Sequence, residues 1–230
     1  MHDRYEDIAI KKSSVETNLR EIRQNVAHLN IKIVAVTKYF GLDATKTAYE
    51  AGLRDFGESR TEESAKKIEQ LSDCIRGASS FHFIGHLQSN KAGKAVKYFD
   101  TIHSIDSVKI ANAVSKAACA LNKREKVLLQ VNNALEEQKF GYTKEQLKSE
   151  LGDILALKGL EVIGLMNIAP LGASESRLHE LFSDIRCFRD ELEKMYGIKL
   201  PELSMGMSGD YIPAVQEGAT IIRIGRKLFT

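Results

Sequence analysis

Apolar positions along the chain fall into two alternating rhythms. From Asp3 to Leu29, the residues Leu19, Ile22, Val26 and Leu29 recur at three- and four-residue intervals with charges between them, which predicts a long amphipathic helix. The rhythm then changes. Ile31 to Phe40 (IKIVAVTKYF) is a short apolar run rich in Ile, Val and Thr, too short for a typical helix, and predicts a buried strand. Further short runs predict strands at Arg54 to Gly57, Phe81 to His86, Thr101 to Ile105, Val127 to Asn132, Leu160 to Met166, Glu202 to Met205 and Thr220 to Ile224. Helical patterns separate them: one capped by Asp43 and ending at Gly52, then Thr61 to Leu71, a Lys-rich helix from Ser89, and Ser107 to Leu121. A helix from Thr143, the long Ser174 to Met195 and a short one after Asp210 complete the series.

Strand followed by helix, eight times over one domain length, implies a parallel sheet, because parallel strands need helical crossovers. Eight such units predict an α/β fold closed into a single (β/α)8 TIM-type barrel over residues 1–230, with an open doubly wound sheet as the alternative. Only Lys227 to Thr230 follow the last strand, so an ordinary eighth helix does not fit, and the extra N-terminal helix is expected to cover that side.

Composition narrows the function classes. The chain is 43% hydrophobic with charge spread throughout, enough for a full core. A net charge of +2 is too near balance to argue for nucleic acid. No apolar run reaches membrane-spanning length, and the start MHDRYEDIAIKK lacks a signal-peptide pattern. Cys74, Cys119 and Cys187 are far apart and odd in number, which points to a reduced, cytoplasmic protein without disulfide or zinc cluster.

Strand alternation sets Val34, Val36 and Lys38 on one face of the first strand and Ile33, Ala35 and Thr37 on the other. A lysine at the C-terminal end of a buried strand is desolvated, which makes its amine a nucleophile; the competing reading has Lys38 snorkelling into water. In a barrel of this kind the active site lies where strand C-termini meet the following loops. The loop Met205-Gly206-Met207-Ser208-Gly209-Asp210 is glycine-rich, runs into a helix and follows the seventh strand, a place where such barrels hold phosphate; as a bare turn it needs only an Asp210 N-cap. Arg223 shares a strand face with Ile221, opposite Ile222 and Ile224, and needs a partner, either a ligand or a carboxylate. Gly225 lets backbone amides approach a ligand. His82 and His86 lie about 13 Å apart on a strand, too far to share a metal. His82 is read as partly buried and structural, His86 as a ligand contact at the strand end. Lys91, Lys94 and Lys97 are read as a solvated helix face. A buried lysine, a phosphate cradle and a nearby arginine together suit an aldehyde on a phosphate handle, which is pyridoxal phosphate (PLP) chemistry.

At this point the chain resembles the pyridoxal phosphate homeostasis proteins, single-domain relatives of the alanine racemase barrel (fold type III). The resemblance covers nearly the whole chain. It rests on VAVTK at Val34 to Lys38, DFGE at Asp55 to Glu58, HFIGHLQSNK at His82 to Lys91 and HSID at His103 to Asp106. LLQVN at Leu128 to Asn132, GLM at Gly164 to Met166, LSMGMSGD at Leu203 to Asp210 and RIG at Arg223 to Gly225 complete it. The resemblance implies PLP as a Schiff base on Lys38, phosphate contacts from Ser208, Gly209, Gly225 and Arg226, and Arg223 facing the pyridine nitrogen. Met205, Ser59 and His86 are further pocket candidates. Two departures stand out: the family's GEN is Gly57-Glu58-Ser59 here, and Arg226 replaces a small residue such as threonine after RIG. The implied function is intracellular carriage and buffering of PLP by a monomer that contacts apo-enzymes transiently, without nucleic acid, membrane or catalytic residues. The alternative is a PLP-dependent amino-acid racemase, a reading disfavoured because this chain ends at Thr230 without the second domain that supplies the racemase tyrosine.

Overall fold

The computed structural model describes residues 10–26, 30–136 and 138–230. Helix α1 (Lys12–Asn25) buries Val15, Leu19 and Ile22 along one stripe, the periodicity that predicted it. Of the expected Asp3 to Leu29 helix, residues 3–9 and 27–29, Leu29 included, lie outside the described residues.

Eight strands follow: β1 (Lys32–Val36), β2 (Asp55–Glu58), β3 (Ser80–Phe83), β4 (Thr101–Ile105), β5 (Glu125–Gln130), β6 (Leu160–Met166), β7 (Glu202–Met207) and β8 (Ile221–Ile224). They pair in sequence order, all parallel, and β8 returns to β1, so the barrel is closed and the open-sheet alternative falls. Between them run α2 (Leu42–Glu50), α3 (Thr61–Glu69), α4 (Asp73–Gly77), α5 (Ala92–Tyr98), α6 (Val108–Ala120), α7 (Lys144–Leu155), α8 (Glu175–Tyr196) and α9 (Tyr211–Gln216), and α10 (Arg226–Phe229) follows β8. α7 opens on a full capping box between Thr143 and Gln146.

Several boundaries differ from expectation. β1 stops at Val36 and β3 at Phe83, because the chain turns once it clears its last ladder partner. The N-cap of α2 is Gly41; Asp43 lies inside the first turn, where its charge suits the helix dipole. α4 had no counterpart in the apolar pattern, since it buries no side chain; a Ser72 cap holds it.

Alternation along the strands divides the interior in two. Ile33, Ala35, Leu203, Met205, Ile222 and Ile224 join the main core with helix residues such as Val15, Leu19 and Ile22. The opposite strand faces fill the barrel. There Val34 pairs in register with Arg223, and bonds between non-adjacent strands, such as His103 to Ser204, cross the lumen. The side without an ordinary eighth helix is closed as expected. α10 has four residues, and α1 packs beside it: Asn18 donates to the Leu228 carbonyl at 3.2 Å and Lys227 pairs with Glu21 at 2.8 Å.

Candidate functional site

The site grows from the C-terminal ends of β7, β8 and β1, which are neighbours in the barrel. Lys38 lies in the turn after β1, half-buried, with its amine 4.8 Å from the Tyr39 ring centroid. This corrects the expectation of a buried lysine on a strand face: the strand has already ended at Val36, so alternation does not reach it.

The turn itself is clamped from α3. Lys67 donates to the carbonyls of Thr37 at 2.9 Å and Phe40 at 3.1 Å, on either side of Lys38, and to Glu58 Oε1 at 2.8 Å. The Thr37 hydroxyl donates to the same Glu58 oxygen at 2.6 Å. Glu58 is 6% exposed, so these bonds are what make its burial tolerable. Sequence reasoning missed Lys67 and Glu58. The available cue was a carboxylate closing an apolar strand, which demands a cation nearby.

The loop after β7 is built around Gly206, whose φ of +90° suits only glycine and whose α-hydrogens face Ala214; a Cβ would sit 2.7 Å from the Ala214 Cβ. Asp210 stands at the N-cap position of α9 but makes no side-chain bond to the helix, contrary to the bare-turn reading; its carboxylate accepts instead from the Met207 amide, inside the loop. The loop does more than turn. Ser208 Oγ receives the backbone N–H groups of Gly225 and Lys227, each at 3.3 Å. These converging donors come from the end of β8. Gly225 is pressed against β1, where a Cβ would lie 3.4 Å from the Val36 Cβ. Gly209 and the Arg226 side chain are exposed beside this cradle.

Arg223 is 4% exposed, and its guanidinium donates to Ser204 O and Ser204 Oγ, both at 2.7 Å, and to Asn167 O at 2.8 Å. No carboxylate accepts from it among the described residues, so the ion-pair reading is replaced by carbonyl and hydroxyl partners. Burial draws its pKa down to about 10, with the Asp210 charge opposing the shift. Three of the five guanidinium N–H groups are used, which leaves two for a ligand. Asn167, which holds Arg223 through its carbonyl, keeps a buried Oδ1 with no partner among the described residues. Converging amides, spare arginine donors and an orphaned acceptor at strand ends neighbouring the one that leads to Lys38 fit a group with a phosphate, a ring nitrogen and an aldehyde.

The remaining candidates lie elsewhere. Met205 is fully buried in the helix-facing core, on the opposite face of β7 from Ser204, so its side chain is not brought to the cluster. Ser59 and His86 share a cavity of about 330 Å³ on the β2–β3 side of the barrel mouth. His86 also stacks on Phe140 at 3.6 Å, contacts Asp106 Oδ2 at 3.1 Å, and borders a larger cavity of about 630 Å³. His82 is 2% exposed rather than partly buried, since it bonds His103 and Asp55 inside the barrel. Lys91 and Lys94 pair with Glu62 on an exposed face, as expected of a solvated stripe. Among the described residues no His, Cys, Asp or Glu group could hold a metal. No helix among them is long and apolar enough to cross a membrane.

Residues 10–230 match the family model for the alanine racemase N-terminal domain. A pyridoxal phosphate homeostasis protein from Synechocystis sp. is 43% identical over 200 residues, covering 87% of this chain and 91% of that one. One from Aquifex aeolicus is 38% identical over 198 residues, with 86% of each chain covered. Among solved structures, PipY of Synechococcus elongatus with PLP bound superposes with a TM-score of 0.86 at 38% identity, over 94% of this chain and 100% of that one. An alanine racemase from Clostridium difficile reaches a TM-score of 0.80 at 16% identity over 95% of this chain but 57% of its own length, a likeness of fold alone.

Proposed function

Because the chain belongs to the pyridoxal phosphate homeostasis protein family, whose barrel is the alanine racemase N-terminal domain, we propose that it binds PLP and serves as an intracellular carrier and buffer of that cofactor. The observation that carries the reading is the meeting of the Gly225 and Lys227 amides at Ser208 beside the turn that bears Lys38. When bound, PLP supplies an aldehyde that an amine can attack and a pyridine ring that withdraws electrons. Lys38 is the amine. Ser208, Gly209, Gly225 and the backbone of Arg226 and Lys227 surround the phosphate, and the Arg226 side chain, exposed at the rim, adds a cation there. Arg223 faces the ring nitrogen. An arginine only donates, so it holds that nitrogen unprotonated and leaves the ring a weak electron sink. That arrangement suits storage better than transamination or racemisation.

The chain acts in this reading as one domain, a cytoplasmic monomer that meets apo-enzymes transiently. Three exposed thiols, Cys74, Cys119 and Cys187, suit a reducing compartment. The first test is the visible absorption of purified protein with PLP, before and after borohydride reduction, for wild type and Lys38→Ala. The expected result is a visible band that reduction abolishes, with the label fixed on Lys38 and absent from the variant. Lack of a band in wild type after PLP addition overturns the proposal. Racemisation of amino acids above the Lys38→Ala background would replace the carrier with an enzyme, and a tight dimer in sedimentation would refute the monomer.

A further inference from the structure

A column of polar side chains runs through the barrel from Arg223 toward its opposite end. Ser204 Oγ stands 2.7 Å from the Arg223 guanidinium and 2.9 Å from His103 Nδ1. His103 Nε2 stands 3.0 Å from His82 Nδ1, and His82 Nε2 stands 2.9 Å from Asp55 Oδ1. Ser204, His103 and His82 are at most 2% exposed. The Asp55 side chain, on the first residue of β2, is 25% exposed.

Its two ends fix the direction of every bond between them. A guanidinium has only donors, so Ser204 Oγ is the acceptor there. Its single proton then goes to His103 Nδ1, and His103 carries its own on Nε2, which it gives to His82 Nδ1. His82 in turn carries its proton on Nε2 and gives it to the Asp55 carboxylate, which only accepts. Each group in this order is satisfied. The opposite order leaves the Ser204 proton without an acceptor and sets a bare Nε2 lone pair against a carboxylate. A doubly protonated His82 also strands the Ser204 proton, and it adds a second buried cation near Arg223. Burial first, then the neighbouring His82, Arg223 and Lys32, hold the His103 pKa well below its ordinary value and keep this ring neutral; the state of His82 follows from the bond order alone.

With its proton held by His103, the Ser204 hydroxyl keeps its lone pair on Arg223. We propose that Asp55, His82 and His103 are positioning residues, which through Ser204 hold the Arg223 guanidinium at the angle that meets the ring of bound PLP. This rests on the reading of Arg223 given above. It extends the functional unit from the barrel mouth to the opposite end of the lumen, where no ligand contact is made.

Two measurements test it. The first needs no cofactor: imidazole ¹⁵N NMR of the apo-protein at neutral pH, assigned with His82→Gln and His103→Gln, should find both rings neutral and protonated on Nε2. A proton on Nδ1 of either ring, or a charged His82, overturns the chain. The second compares wild type with Asp55→Asn, a change of matched shape at the partly exposed end. The expected outcome is a displaced visible maximum for bound PLP and a dissociation constant raised roughly two- to tenfold, the worth of one weakened hydrogen bond. A lower melting temperature with unchanged maximum and affinity would make the column purely structural and defeat the proposal. Absence of a visible band in wild type would sink the PLP reading and the positioning role with it, while the tautomers still decide the chain.

Discussion

Lys67 sits with its amine on three oxygens, two of them carbonyls that flank Lys38. A backbone turn with short polar ties would otherwise be free to swing its lysine. Replacing Lys67 with Met keeps the stem and removes the charge, leaving Glu58 buried with only the hydroxyls of Thr37 and Ser64. Because the Lys67 side chain is 14% exposed, we discount the cost of a fully buried broken pair and expect a loss of about 2–4 kcal/mol in denaturant unfolding. An unchanged midpoint would mean that water replaces the amine. At this scale the sequence was legible in chemistry more than in surroundings. Arg223 was readable as a group in need of partners, because a guanidinium is costly inside an apolar strand. The Lys67–Glu58 clamp and the His82–His103 contact join residues on different elements, and no single-chain spacing encodes such meetings.

Among the elements, the β7 loop has the most exacting shape. Gly206 holds a left-handed φ with Ala214 directly opposite, whereas a Cβ on Gly209 would meet nothing within 4 Å. Gly206→Ala should therefore destabilise the protein by about 1–3 kcal/mol and weaken phosphate binding, and Gly209→Ala should leave stability within about 0.5 kcal/mol of wild type. Thermal melts of the two variants, with and without inorganic phosphate, check the contrast; equal behaviour would refute this account of the loop. Strand and helix identities were readable because sheet and helix bury residues at different periods. Their ends were less so. β1 was read through to Phe40, four residues beyond Val36, because Thr37, Tyr39 and Phe40 continue an apolar run that the backbone no longer follows as a strand. α4 escaped because a helix that buries nothing has no period.

For the molecule as a whole, the eightfold alternation carried the barrel, and the short stretch after β8 correctly pointed to α1 as its cover. The barrel's other end holds a group that no pattern announced. Glu125, the first residue of β5, is 1% exposed, and burial raises its pKa to about 7 against the opposing pull of Lys123 at 2.7 Å. The folded state thus binds this proton more tightly than the unfolded chain, whose glutamate has an ordinary value of 4.5. The stabilising contribution is complete below the unfolded value, declines across the interval up to the folded value, and is gone above it. Glu125→Gln should flatten that decline in unfolding free energy measured between about pH 4.5 and 7. A variant with the same slope as wild type would locate the proton elsewhere.

The cradle also has a consequence for how the ring holds together. Gly225 abuts Val36, and Asn18 bonds Leu228 across 210 positions of sequence. The last strand thus meets the first at a seam, and the cradle lies beside it on the β8 side. A ligand held by the cradle and by Lys38 after β1 is a clasp on that seam. At a ligand concentration of about a hundred times the dissociation constant, a clasp adds about 2.7 kcal/mol to the closed form. Amide exchange at the β1–β8 ladder should accordingly slow on loading more than exchange at β4–β5. On the proposed reading the loaded protein is itself fastened by its cargo, and an empty copy is the looser one.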